Sequence, residues 1–278
     1  MTLPENTRII LITGASSGIG KSCAQHLQQR GYRLYGTSRS ASFPDTVSAT
    51  NVTLIPMDVG SEASVQQAVQ WILAREGRLD VVVNNAGNGI AGAVEDTSIG
   101  EAQAQFDTNF FGMLRVCRAT LPILRRQGAG YLINISSIAG LVGVPFQGLY
   151  SASKFAIEGL TESLRAEVRP YGVRVALIEP GDFHTGFTAQ RSIAIAAQAS
   201  TDYSERFRTA LGVMEKDETS GATPEAIARL LERIINTPSP KLRHMVGPTS
   251  QKLSVSLIKK LLPQTMFESI IDKYYGIW

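Results

Sequence analysis

Cysteine, histidine and long apolar runs are all scarce in this 278-residue chain, and each scarcity removes a class of function. The only two cysteines, Cys23 and Cys117, are far apart in segments with helical spacing. They read as buried thiols in a reducing compartment, not as a disulfide or a metal knuckle. The three histidines, His26, His184 and His244, match no zinc-binding spacing, so no metal site is expected. No run of about eighteen apolar residues occurs, which excludes a membrane-spanning helix. Net charge is small: 27 Lys and Arg against 24 Asp and Glu leave +3, too little to suggest nucleic acid as a partner. Residues 1–8 are polar and carry no apolar signal core, so a cytoplasmic location is expected. Activity is therefore expected from an organic cofactor or from side chains alone.

What is present is globular. Hydrophobic residues make up 44% and charged residues 18%, which excludes wholesale disorder. A chain of this length buries enough surface to need no disulfide staples. Short apolar runs at 8–13, 32–37, 52–56, 79–83, 131–135, 173–178 and 243–246 read as strands. Between them, helical spacing marks 18–30, 61–75, about 104–126, 151–169 and 224–236. Strand and helix alternate throughout, the signature of a doubly wound parallel sheet covered on both faces by helices. A single α/β domain over 1–248 is expected, with a long insertion at about 187–220 and a helical extension at 249–278.

The first strand runs into Thr13-Gly14-Ala15-Ser16-Ser17-Gly18-Ile19-Gly20 and then a helix. Glycines let a backbone turn sharply and approach a pyrophosphate, and the helix N-terminus supplies N–H donors and positive potential. Gly14, Ser16, Ser17, Gly18, Ile19 and Gly20 are thus the expected phosphate loop. About twenty residues on, an acid commonly holds the ribose 2′-hydroxyl. Here Ser38 and Arg39 stand in that place. Arginine suits a phosphate fork, so NADP is expected, with NAD as the alternative.

Tyr150-Ser-Ala-Ser-Lys154 places two chemically complementary side chains four apart on one helix face. A free phenol, with a pKa of about 10, is poorly matched to neutral proton transfer, and a neighbouring ammonium favours its anion. Taken together, Thr13–Gly20, Asn84-Asn85-Ala86-Gly87, Asn109, Ile135-Ser136-Ser137, Tyr150-x-x-x-Lys154 and Pro180-Gly181-Asp182-Phe183-His184-Thr185 resemble the short-chain dehydrogenase/reductase family in order and spacing. The resemblance covers roughly residues 7 to 247 and implies a Rossmann-type fold. It implies that Tyr150 is the acid/base, that Lys154 holds the ribose hydroxyls, and that Ser137, with Ser136 as the alternative, bonds the substrate carbonyl. Asn109 would hold a water linking Lys154 to solvent. Asp58 and Val59 would meet the adenine, and Asn85, Ala86 and Gly87 would pass behind the cofactor. Pro180, Gly181, Phe183 and Thr185 would hold the nicotinamide end, leaving His184 at the pocket edge and outside the catalytic set.

Residues 138–149 are almost wholly apolar, and 187–220 is where the family carries its substrate lid. Phe146, residues 149–156 and residues 178–187 most resemble the hydroxysteroid and retinol dehydrogenase branch. That implies an NADP(H)-dependent carbonyl reductase or alcohol dehydrogenase acting on a hydrophobic small molecule. A 3-oxoacyl-thioester reductase is the alternative, and a non-catalytic NADP(H)-binding regulator the alternative of another class. In the tail, Met266, Phe267, Ile270, Ile271, Tyr274, Tyr275 and Trp278 recur at helical spacing after Pro263. This stripe reads as packing, as a pocket lid, or as a membrane contact helped by Lys252, Lys259 and Lys260. A homodimer is expected, through helices at 104–126 and 151–169, with a tetramer as the alternative.

Overall fold

Ile9–Ile12 (β1) is four aliphatic residues with no polar interruption, and all four are buried. A strand buried on both faces has no reason to alternate, and Val81–Asn84 (β4) and Gly130–Ile135 (β5) are buried along their whole lengths in the same way. With Arg33–Ser38 (β2), Thr53–Pro56 (β3), Val173–Pro180 (β6) and Arg243–Val246 (β7), they form one seven-stranded sheet. Its order is β3-β2-β1-β4-β5-β6-β7 and every pairing is parallel. The computed structural model describes residues 7–46 and 52–278, and every side chain among them except those of Ser256, Leu257 and Lys260. The polar start of the chain, residues 1–6, lies outside the described residues.

Helices Gly18–Gln29 (α1) and Glu225–Ile235 cover one face, and Glu62–Glu76 (α2), Gly112–Gln127 and Gly148–Val168 the other. In chain order the remaining labels are α3 for Ile99–Phe106, α4 for Gly112–Gln127, α5 for Gly148–Val168, α6 for Ser204–Ser220, α7 for Glu225–Ile235 and α8 for Gln264–Tyr275. The helix expected at about 104–126 starts earlier than its apolar spacing suggests. Ser98 and Glu101 form a reciprocal capping box that opens α3. A π turn at Asp107–Phe111 then joins α3 to α4. The second half of the insertion at 187–220 folds into α6. Its buried residues Phe207, Ala210, Met214 and Glu218 form one narrow stripe, so little apolar periodicity shows in the sequence.

The strand order reverses between β1 and β4. In an open parallel sheet this switch point leaves a crevice at the carboxyl ends of the strands. The glycine loop after β1, the 85–87 turn after β4, the 136–147 loop after β5 and the 181–187 loop after β6 all converge there.

Candidate active site

The glycine loop is shaped by close approach. Gly14 has φ +64°, and a Cβ on it would lie 3.0 Å from the Ala86 Cα. A Cβ on Gly20 would lie 2.5 Å from both the Gly14 carbonyl oxygen and the Asn85 amide nitrogen. Thr13 locks the arrangement: its hydroxyl oxygen accepts from the backbone N–H groups of Asn85 and Ala86, each at 2.9 Å. Asn85 in turn donates to the carbonyls of Thr13 and Gly14, at 2.9 and 3.1 Å. Thr13 was not among the expected site residues. Its signal was its place at the end of β1, where only a hydroxyl can serve both neighbouring N–H groups. Ser17, the residue before α1, makes no side-chain bond to its own helix, and the first turn of α1 holds no acid. Its donors are left for an anion.

A single cavity of about 870 Å3 runs from this loop across the carboxyl edge of the sheet. Gly14, Ser16, Ser17, Gly18 and Ile19 border it, as do Ser38, Arg39, Asp58, Val59 and residues 85–87. Gly20 lies behind this rim as the packing glycine of the loop. Arg39 is exposed and makes no hydrogen bond or ion pair with the described residues. Pro180, Gly181, Phe183 and Thr185 close the far side, whereas His184 is exposed and does not border the cavity. A glycine cradle and a helix N-terminus with free donors fit the pyrophosphate of a dinucleotide.

At the centre, α5 begins at Gly148, so Tyr150 stands in its first turn and Lys154 one turn on. The Lys154 ammonium lies 5.7 Å from the Tyr150 ring centroid and donates to the Ile135 carbonyl at 3.0 Å. Burial pulls it down to about 8, with Glu158 opposing. Burial pushes the Tyr150 phenol up to about 12, and a hydrogen bond with Ser137 acts in the other direction. With desolvation the largest cause, the phenol stays protonated at neutral pH. Ser137, not Ser136, is the hydroxyl that acts on the Tyr150 phenol, and it donates to the Pro180 carbonyl at 3.4 Å. The Ser137 hydroxyl also accepts from Ala139 N at 3.1 Å, while the Ser136 hydroxyl is buried with no partner among the described residues.

Asn109 sits in the π turn, 1% exposed. Its amide oxygen accepts from Asn88 N at 2.9 Å, and its nitrogen donates to Asn88 O and the Ser153 hydroxyl at 3.0 and 3.1 Å. The π turn aims this side chain across to the neighbouring loop, away from bonding its own helix backbone.

The substrate side is enclosed by the tail. Phe267 packs in one cluster with Val142 and Val255, and Ile277 packs with Ala210 and Met214 on α6. Ile270, Ile271, Tyr274 and Tyr275 border the cavity. The expected single stripe is therefore split: Phe267 is buried, while Met266 and Trp278 are exposed. Gly276, at φ +65°, ends α8 and turns Ile277 back inward. Of the lysines expected to aid a membrane contact, the Lys259 ammonium donates to the Leu141 carbonyl, and the Lys260 side chain lies outside the described residues. Among the described residues no helix is long and apolar enough to cross a membrane, and no metal-binding cluster occurs.

Asp182, Asp217, Glu218 and Gln147 also border the cavity. None was expected as a site residue: Asp217 and Glu218 reach the cavity through the folding of α6, and Gln147 and Asp182 through the loops after β5 and β6. Asp182 is pushed up to about 6 by burial, with Gln251 opposing and Glu218 and Asp217 adding to it.

The family model described as short chain dehydrogenase matches residues 8–195. The chain is 43% identical over 270 residues to a 3-ketodihydrosphingosine reductase of Bacteroides thetaiotaomicron, covering 97% of this chain and 98% of the relative. It is 36% identical over 256 residues to human retinol dehydrogenase 8, covering 86% and 81%. Among solved structures, a short-chain dehydrogenase from Streptomyces avermitilis superposes with a TM-score of 0.81 at 30% identity, covering 96% and 98%. A short-chain dehydrogenase/reductase from Burkholderia phymatum in complex with NAD gives 0.73 at 25% identity, covering 87% and 90%. An alcohol dehydrogenase from Thermococcus sibiricus complexed with 5-hydroxy-NADP gives 0.69 at 25% identity, covering 88% and 97%.

Proposed function

The chain belongs to the short-chain dehydrogenase/reductase family, oxidoreductases acting on CH–OH and C=O groups with a nicotinamide cofactor, and from that premise we propose that it is an NADPH-dependent reductase of a long-chain, hydrophobic ketone. The observation that carries this reading is that Ser137, Tyr150 and Lys154 border one cavity whose far wall is formed by the apolar tail residues Ile270 and Ile271. The glycine loop, Arg39 and Lys154 would hold NADPH, which would supply hydride for the carbonyl carbon. As negative charge develops on the carbonyl oxygen, Ser137 and Tyr150 donate hydrogen bonds to it, and Tyr150 then gives it a proton. The product is the secondary alcohol. Lys154 holds the ribose and carries positive charge beside the tyrosine that gives up its proton, and Asn109 holds the relay that returns a proton from solvent. The Arg39 guanidinium supports NADP over NAD, since no acid stands in its place to repel a 2′-phosphate.

The relative that acts on 3-ketodihydrosphingosine makes that compound the first substrate to try. The retained Asn109, Ser137, Tyr150 and Lys154 weigh against a non-catalytic regulator. The apolar wall formed by the tail favours a free lipid ketone over a carrier-bound thioester. The test is consumption of NADPH with 3-ketodihydrosphingosine, retinal and a 3-oxoacyl thioester. Turnover of the first alone or foremost supports the reading, and preference for the thioester replaces it with the alternative.

A further inference from the structure

Given the ketone-reductase reading, on which this inference rests, the reacting carbonyl lies against Ser137 and Tyr150, and the polar groups around that point constrain the carbons beside it. Three carboxylates border this part of the cavity: Asp182 in the loop after β6, and Asp217 and Glu218 near the end of α6. Glu218 and Asp182 both act electrostatically on the Tyr150 phenol. Glu218 is paired with the buried Arg191 guanidinium, and its second oxygen accepts from the Thr188 hydroxyl at 2.6 Å. The other two carboxylates meet only neutral donors. Asp182 accepts from the Gln251 amide, and Asp217 accepts from the Tyr274 hydroxyl at 2.5 Å. Three carboxylates against one guanidinium, 3 − 1, leave two negative charges without a counter-charge in this group. The nearby Lys154 ammonium is held on the Ile135 carbonyl with Glu158 as its own neighbour.

A second, independent feature points at a ligand. Gln147 lies one turn before Tyr150, borders the same cavity and is only 6% exposed. Its amide nitrogen has no hydrogen-bond partner among the described residues. A buried N–H group without an acceptor carries an unrecovered desolvation cost, which a substrate oxygen would recover. Beyond these polar groups the wall turns apolar, with Val142, Val255 and Ile271 packed around Phe267.

We propose that this end of the cavity reads an amino ketone: a protonated amine on the carbon next to the reacting carbonyl, held by Asp182 and Asp217 with Glu218 behind them, and a hydroxyl oxygen one carbon further, held by Gln147. The apolar wall then takes the long chain on the other side of the carbonyl. A neutral ketone leaves the carboxylates and the amide without partners, and a phosphate-bearing acyl carrier is repelled by them. A long-chain 2-amino-1-hydroxy-3-ketone, which is the chemistry of 3-ketodihydrosphingosine, meets every one of these groups.

The test compares three ketones of equal chain length: 3-ketodihydrosphingosine, its N-acetyl derivative, and the plain 3-ketone. The wild-type chain should favour the free amine by roughly 10–100-fold in kcat/KM, the value of a charge-assisted contact. In Asp182→Asn and Asp217→Asn that preference should shrink to a few-fold, mainly because KM for the amine rises. NADPH binding followed by fluorescence checks that the variants are folded. A free long-chain amine should also inhibit the wild-type enzyme competitively and more tightly than the alcohol of the same length. Equal use of the three ketones by the wild-type chain, with equal inhibition by amine and alcohol, overturns the inference and leaves the ketone-reductase reading standing. A lack of turnover with all three overturns that reading and this inference together.

Discussion

Tyr150 keeps its proton across the neutral range because burial holds the phenol at about 12, and a group in that state donates. Replacing it with phenylalanine removes the proton but little volume. We expect Tyr150→Phe to lower kcat by roughly 10²–10⁴-fold while NADPH still binds, measured by single-turnover kinetics beside a fluorescence titration. Retention of a tenth or more of wild-type turnover would show that another group gives the proton. Arg39 stands at the other end of the cavity with no partner among the described residues. Its bond to a 2′-phosphate would be charge-assisted, worth about 1.5–3 kcal/mol. Arg39→Ala should therefore weaken NADPH binding by roughly 10–100-fold and NADH binding much less, and an equal loss for both would refute its role. Both residues were legible in the sequence because each sits in a motif of fixed spacing. Thr13, Gln147 and Asp182 were not, because their roles depend on which loop folds beside them. The burial of the phenol was not legible for a related reason: residue spacing reports the neighbour, but only the fold reports the desolvation.

At the scale of elements, β6, β7 and α5 enclose a charged group that no motif announced. Glu179 on β6 is fully buried, and Arg243 on β7 lies 3.5 Å from it and 2.9 Å from Glu158 on α5. Glu162 also reaches Arg243, at 3.3 Å. One guanidinium serves three carboxylates, and burial, with Glu158 adding, pushes Glu179 up to about 8. The folded chain thus holds the Glu179 proton more tightly than the unfolded chain, where the carboxyl titrates at about 4.5. The stability this proton contributes is fully present below about 4.5 and is lost as pH rises through about 8. Glu179→Gln should flatten the decline of Tm between about pH 5 and pH 8, as followed by circular dichroism. An unchanged slope would mean that Glu179 is ionised throughout. The strands themselves were legible because a parallel strand buried on both faces is an unbroken apolar run. The π turn at Asp107–Phe111 was not, since it differs from an α-helix by one residue in backbone register and leaves no compositional mark. Nor was α6, whose buried stripe ends in a charged residue, Glu218.

For the whole molecule, the two clusters that flank the sheet draw on no residue beyond Val246. The tail forms separate clusters instead, with Val255 and Phe267 in one and Ile277 in the other. The sheet and its cofactor crevice therefore have their own core, and the tail walls the substrate end. A chain ending at Pro248 is expected to unfold cooperatively and to bind NADPH within about threefold of the full chain. It loses the cavity wall supplied by Ile270, Ile271 and Tyr275. Each methylene of substrate left in water costs about 0.8 kcal/mol, so two of them amount to roughly a tenfold rise in KM. That rise should grow with the length of the ketone's chain and be small for a short ketone. The mass of both chains by light scattering belongs in the same experiment. The full chain is expected to be a dimer through the α4 and α5 faces, where Phe111, in the π turn before α4, and Phe155 are exposed. Removing the tail uncovers Val142 and Val144, and the shorter chain is expected to associate further. A tetrameric full chain would refute the dimer. A truncated chain whose KM rises equally for short and long ketones would show that the tail shapes the catalytic centre and does not hold the substrate's chain.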